Sequence, residues 1–262
     1  MDRFTIDYKL RPGIRDVKVL GLLRLRNESL ILEDTLAHFS QFVDGIVCLD
    51  DCSEDESVTI LEQNRSVLAI IRNAKWLTER LTEETLHRQV LLEIGREYAP
   101  QWMFYSDCDE RFIGDIAAFL TSTESQGVDG VRISLFDAYM TQDDQRPYQR
   151  GKPLLNFRKY FGPERRDILM IWKNSPEVRF VGLDAREPSV PGHIITKFYC
   201  QHYGKALSHE HWEATCQYYV EFFPDPYKTK WLARKGKAIH LSSDFNRPLY
   251  FWWDVVAVAN AI

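Results

Sequence analysis

The first half of the chain sets short apolar runs between stretches whose apolar residues recur at helical spacing. Residues 17–23 (VKVLGLL) read as a buried strand, and Asn27 is then placed to cap a helix carrying Leu32, Leu36, Phe39 and Val43. A second strand run, 45–49, ends in Asp50-Asp51, after which Ser53 and Glu56 fit a capping box opening another helix. Leu68–Ile71 is a third short strand, and a longer helix over about 82–98 lines up Leu86, Val90, Leu91, Ile94 and Tyr98. Trp102–Tyr105 is the fourth strand. This alternation predicts an α/β domain with a mostly parallel central sheet flanked by helices.

The second half changes character. Val128–Phe136 alternates apolar and polar residues like a strand, and the polar stretch Thr141–Lys152 reads as a loop. Strand-like pieces recur at Val178–Val181 and Ile194–His202, and Ser208 is placed to cap an amphipathic helix carrying Trp212, Cys216, Tyr219 and Phe223. The tail, Phe251 to Ile262, is strongly apolar. Core cover is the favoured expectation for it, with a protein contact or a peripheral membrane contact as the alternatives.

Composition narrows the class. An apolar share of 45 % with 13 % aromatics excludes a disordered chain. The net charge of −5 argues against a general nucleic-acid binder, which needs a basic face, although Arg146–Arg166 leaves a local basic groove open. The start, Met1 to Asp7, lacks the basic and apolar segments of a signal peptide, and no apolar run approaches the roughly 20 residues that span a bilayer. Five cysteines without a CxxC pair suit reduced thiols, so a cytoplasmic setting is expected.

Candidate chemistry gathers at strand ends, where open α/β sheets collect ligands. Asp107 and Asp109 follow the fourth strand two residues apart, so extended backbone turns both carboxylates to one side. Such a pair can hold a hard divalent cation, though Asp is also common in turns for its bonds to the backbone. Glu110 adds a third carboxylate, and Arg111 is the expected neutralising neighbour. Asp50 to Ser57 is the second acidic stretch; it fits a helix N-terminus, and equally the hydroxyls or imide of a nucleoside. His209-Glu210-His211 lacks zinc spacing, and neither G-x-G-x-x-G nor a Walker A pattern is present.

Val19–Glu28, then Val47 to Ser57 (VCLDDCSEDES), then Tyr105 to Glu110 (YSDCDE) together resemble a family 2 glycosyltransferase with the GT-A (nucleotide-diphospho-sugar transferase-like) fold. The likeness covers roughly 16–115 and continues loosely through Arg179-Phe180 and His202-Tyr203-Gly204. Cys52 stands where the family motif has Gly, which leads one to expect a less extreme backbone there.

The resemblance implies one catalytic domain over 1–262: a nucleotide-sugar half (16–115), an acceptor-side half (116–205) and a helical C-terminal extension (206–262). It implies Asp51 on the nucleobase with Asp50 beside it, Arg88 on base or phosphates unless it merely pairs with Glu84, and Asp107 on the ribose or sugar. Asp109 would be the main ligand of Mn2+ or Mg2+, shared with Asp107 and completed by His202, with His240 in reserve. The activity implied is inverting transfer from a nucleotide-sugar, a UDP-sugar first, to a hydroxyl of a carbohydrate or glycoconjugate acceptor, as in surface polysaccharide assembly. That displacement needs a carboxylate base, for which Glu187 and Asp184 are the candidates. Two other functions stay open. One is a non-catalytic relative binding nucleotide-sugar or a partner; the other is a sugar nucleotidyltransferase, disfavoured because no glycine follows the first strand in 23–28.

Overall fold

Period-two alternation within the first-half strands decides how the layers stack. In chain order the elements are β1 (Phe4–Tyr8), β2 (Val19–Leu25), α1 (Leu32–Phe39), β3 (Gly45–Asp50), α2 (Ser57–Gln63), β4 (Val67–Asn73), α3 (Arg80–Glu97) and β5 (Trp102–Ser106). Leu20 and Leu22 of β2, with Met103 and Tyr105 of β5, pack against Val90, Leu91 and Ile94 of α3. Leu23, Cys48 and Phe104 point the other way, to Leu32, Leu36 and Phe39 of α1. Burying each such side chain stabilises the fold by roughly 1.5–3 kcal/mol. Gly21 lets α1 come close, since a Cβ there would stand 2.8 Å from the Phe39 ring.

The second half adds β6 (Glu110–Ile113), α4 (Ile116–Thr121), β7 (Gly130–Tyr139), β8 (Tyr160–Phe161), β9 (Arg166–Lys173), β10 (Ile194–His202), α5 (His209–Phe222), α6 (Tyr227–Leu232), β11 (Tyr250–Phe251) and α7 (Trp252–Asn260). The computed structural model describes residues 3–260, so Met1, Asp2 and the last two residues of the apolar tail lie outside the described residues. The main sheet runs β1-β4-β3-β2-β5-β9-β7-β10-β6. Its β4-β3-β2-β5 block is parallel, as the alternation predicts. Beyond β5 the pairing is antiparallel except for β7 with β10. Only Asp107–Asp109 separate β5 from β6, and the Phe104 and Phe112 rings meet at 4.6 Å, so the far edge of the sheet curls back to the parallel block.

Several local expectations are corrected. Asn27 does not cap α1; it adopts φ 55° and accepts from the Glu54 N–H at 2.7 Å, lacing two strand-end loops together. Ser53 belongs to the same lacing, accepting from the Asn27 N–H, and α2 starts only at Ser57. Leu86 is 38 % exposed because the first turns of α3 bury Arg80, Glu83, His87 and Arg88 instead. Around Val178–Val181 only an isolated bridge, Arg179 to Ser189, replaces the strand. Ser208 does cap α5, its Oγ accepting from the His211 N–H at 3.1 Å. The tail divides its faces: Trp252, Val255 and Val256 are buried, while Phe251 and Trp253 remain exposed. No helix among the described residues is long and apolar enough to cross a membrane.

Candidate functional site

Strand register builds the centre of the site. β10 lies between β6 and β7, and its last residue, His202, pairs across to Glu110 on one side and Asp137 on the other. The Asp107–Asp109 turn ends β5 above this row, and the Tyr203 N–H donates to the Asp109 carbonyl at 2.9 Å. His202 Nε2 stands 3.3 Å from Asp109 Oδ2, and its Nδ1 stands 2.6 Å from Asp137 Oδ1. Burial works against charge on both partners, but the pairing wins. Asp109 is held down to about 2 by His202 and Arg186, and His202 is lifted to about 10 by Asp109 and Asp137.

Asp107 and Glu110 form the second part of the cluster. Asp107 accepts from the Tyr105 hydroxyl at 2.8 Å, and Glu110 accepts from the Asp107 N–H at 2.8 Å. Arg186 donates to both carboxylates while lying over the Tyr105 ring, 5.2 Å from its centroid. Burial nonetheless pushes the Glu110 carboxyl upward, with Asp107 and Asp109 adding to the effect. Glu28 joins the acidic group from the loop between β2 and α1, its carboxyl raised by burial and by Asp109 and Asp107. Arg111, the neutralising residue expected from the sequence, is elsewhere: it is fully buried on Asp34 at 2.9 Å and on the carbonyls of Cys108 and Glu110.

At the end of β3, Asp51 is fully buried. Its Oδ2 accepts from Arg80 at 2.6 Å and Arg24 at 3.3 Å, and its Oδ1 accepts from Asn73 at 2.8 Å. Despite burial, His87, Arg24 and Arg80 hold its carboxyl below the usual range. The carboxylate expected to meet a nucleobase thus sits in an internal ion network with the buried Arg80 and the partly exposed Arg24. Asp50 is also buried and accepts from the Ser53 N–H at 3.2 Å. Cys52 adopts φ 59°, the left-handed conformation that glycine takes most readily, which corrects the expectation of a relaxed backbone.

The remaining predicted residues separate from the cluster to different degrees. Arg88 pairs with Glu84 at 3.3 Å, but it is buried and also donates to the Tyr105 hydroxyl at 3.2 Å, so it supports Asp107 through that tyrosine. Both Glu187 oxygens accept from Arg132, at 2.7 and 2.8 Å, and Asp184 accepts from the Tyr227 hydroxyl at 2.9 Å. No hydrogen bond or ion pair among the described residues joins either carboxylate to the Asp107–Asp109–His202 group. His240 packs edge-on against Tyr139 and Trp212 and is not part of the site. Sequence reasoning missed Arg186, Asp137 and Glu28. The signal for Asp137 was present, an acid directly after the alternating Val128–Phe136 run.

The donor set suits a hard or borderline divalent ion, carboxylate with imidazole. Among the described residues no three His, Cys, Asp or Glu side chains converge closely enough to hold an ion alone. Such sites commonly leave coordination to waters and substrate phosphates. A local detail favours the fit. Gly204 carries no Cβ, and one built there would stand 2.6 Å from Asp109 Oδ2 and 3.0 Å from His202 Nε2, filling the space between the two candidate ligands. Asp109 and His202 would hold the ion, with Asp107 joining when Arg186 releases it.

No family model matches the chain, and no curated protein matches it. Solved structures that align with it include a mannosyltransferase from Pyrobaculum calidifontis in complex with GDP-Man and Mn2+, at 15 % identity, covering 97 % of this chain and 76 % of that one, with a TM-score of 0.38. S. aureus TarS in complex with UDP aligns at 15 % identity over 83 % and 71 %, with a TM-score of 0.34. Glucosyl-3-phosphoglycerate synthase from Mycobacterium tuberculosis, in complex with Mn2+, UDP and glucosyl-3-phosphoglycerate, aligns at 17 % identity over 48 % and 50 %, with a TM-score of 0.30. The chain thus spans about half the length of the mycobacterial synthase.

Proposed function

We propose that this protein is a GT-A glycosyltransferase of family 2 type, moving a sugar from a nucleotide-diphosphate-sugar, a UDP-sugar first, to a hydroxyl of a carbohydrate or glycoconjugate acceptor. The observation that carries the reading is Asp109 facing His202 across the bare Gly204, with Asp107 in the same turn, at the carboxyl end of the parallel block. A divalent cation bound there would offset charge growing on the departing diphosphate. This chain's own residues would do the rest: Asp109 and His202 hold the cation, Asp107 orients the sugar or ribose, and Arg24, set by Asp51, borders the nucleoside. A cytoplasmic setting, on the inner side of surface-glycan assembly, belongs to the same reading.

Thermal shift with UDP, GDP and dTDP, each with and without Mn2+, tests it, because a ligand of the native state raises its apparent stability. A metal-dependent shift with at least one nucleotide is expected, and Asp109→Ala should remove it. No such shift with any nucleotide would sink the transferase reading.

One observation favours a second reading, a non-catalytic relative that binds the donor. Glu187 is committed to Arg132 and Asp184 to Tyr227, leaving the base without an owner. Slow hydrolysis of a nucleotide-sugar by the wild-type protein, lost in Asp109→Ala, would decide for the enzyme.

A further inference from the structure

Resting on the metal reading above, we propose that Asp137 is a positioning residue for the cation site: it takes the hydrogen bond of His202 Nδ1, so that Nε2 is the nitrogen turned to the metal. Parallel register sets Asp137 directly beside His202, one strand inward. Its Oδ1 lies 2.6 Å from Nδ1, a distance two lone pairs would not keep, so Nδ1 is the donor. The opposite nitrogen then faces Asp109 Oδ2 at 3.3 Å, across the space that Gly204 leaves.

Arg166 also stands 3.3 Å from Nδ1, which would favour the other tautomer if it donated there. Its nearer partner is Asp137 Oδ1 at 2.5 Å, so the guanidinium and the imidazole share one carboxylate oxygen. Lys205 fixes the second oxygen at 3.1 Å and is itself held by Asp244 at 2.6 Å. The carboxylate is therefore anchored from two sides and cannot turn away from His202. Carboxylates that fix a metal-binding histidine in this manner typically change metal affinity by roughly 10–100-fold when altered.

Two measurements test this. Mn2+ titration by calorimetry should show Asp137→Asn binding roughly 10–100-fold more weakly than wild type, with Asp137→Glu recovering part of the loss. Nitrogen-15 NMR of wild-type His202, with Cd2+ as a diamagnetic probe, should show Nδ1 keeping its proton in the metal-bound state while the Nε2 resonance moves on metal addition, a signature independent of whether Asp137→Asn folds. Equal Mn2+ affinity in wild type and Asp137→Asn, or an Nε2–H ring with metal on Nδ1, would overturn the role of Asp137 alone. A wild-type protein that binds neither cation would overturn the metal reading together with it.

Discussion

Arg186 lays its guanidinium on Asp107, Nη1 to Oδ2 at 2.5 Å, and with its other nitrogen reaches the buried Glu110. The arginine is the resident counter-charge of the acidic cluster. A cation bound to Asp107 must share that carboxylate with it or displace it, and a displaced guanidinium suits the phosphates of a donor bidentately.

Replacing Arg186 with Met should therefore separate stability from metal response. Without metal, Glu110 keeps its burial but loses its cation, and a cost of roughly 2–3 kcal/mol is expected from a broken pair that is partly exposed on the arginine side. Mn2+ should then raise the melting temperature of Arg186→Met by more than it raises that of wild type. Equal Mn2+ shifts in the two proteins would show that Arg186 does not compete with the cation.

Gly204→Ala probes the space between the candidate ligands. The new methyl would sit 2.6 Å from Asp109 Oδ2, so ligand geometry must distort. Mn2+ affinity should fall at least tenfold while the metal-free melting temperature changes little. If calorimetry finds the affinity unchanged, the cation does not bind between Asp109 and His202.

Asp51→Ala is expected to be a stability mutant. It leaves Arg80, whose side chain is fully buried, without its 2.6 Å partner, and breaking such a pair costs roughly 3–5 kcal/mol. Urea unfolding should show that loss. A variant as stable as wild type that has lost only nucleotide binding would instead assign Asp51 to the direct base contact expected from the sequence.

Acid should weaken the fold through two neutral histidines. His38 Nε2 accepts from the Phe112 N–H at 2.8 Å; burial and then Arg111 lower its pKa from 6.5 to about 4. A depressed pKa means the stabilising neutral form is fully effective above pH 6.5 and is lost as pH falls toward 4, a contribution of up to about 3 kcal/mol. His87, lowered to about 3 by burial and Arg24, extends the loss to lower pH. In His38→Gln, whose carbonyl can take the same N–H, the fall in denaturation free energy between pH 6.5 and 4 should shrink. An unchanged slope would mean that His38 is protonated in the native state.

The parallel block, its two covering helices and the acidic strand ends were legible because each rests on local sequence: short apolar runs in β2 and β5, helical period in α1 and α3, an acid at the end of a run. What escaped depends on pairing between distant segments. Nothing near Asp107 announces that Arg186, 79 residues away, neutralises it, and Arg111 was the natural choice from adjacency alone. The same holds for Asp137 and His202, which only the register of β7 with β10 makes neighbours. Leu86 misled for a related reason: the buried side of α3 turns polar where it meets Asp51, so apolar spacing misjudged the face.

The curl of the sheet gives the Asp107–Asp109 turn a mechanical role as well. Those three residues are the seam where β5, in the parallel block, meets β6, the last strand of the far edge. A ligand gripped by Asp109 on the seam and His202 on β10 would brace the sheet across the point where its two ends come together. Occupancy of the site would then be felt as slower opening of β6 and β10, in addition to what the Arg111–Asp34 and Phe112–His38 contacts of β6 already hold in place.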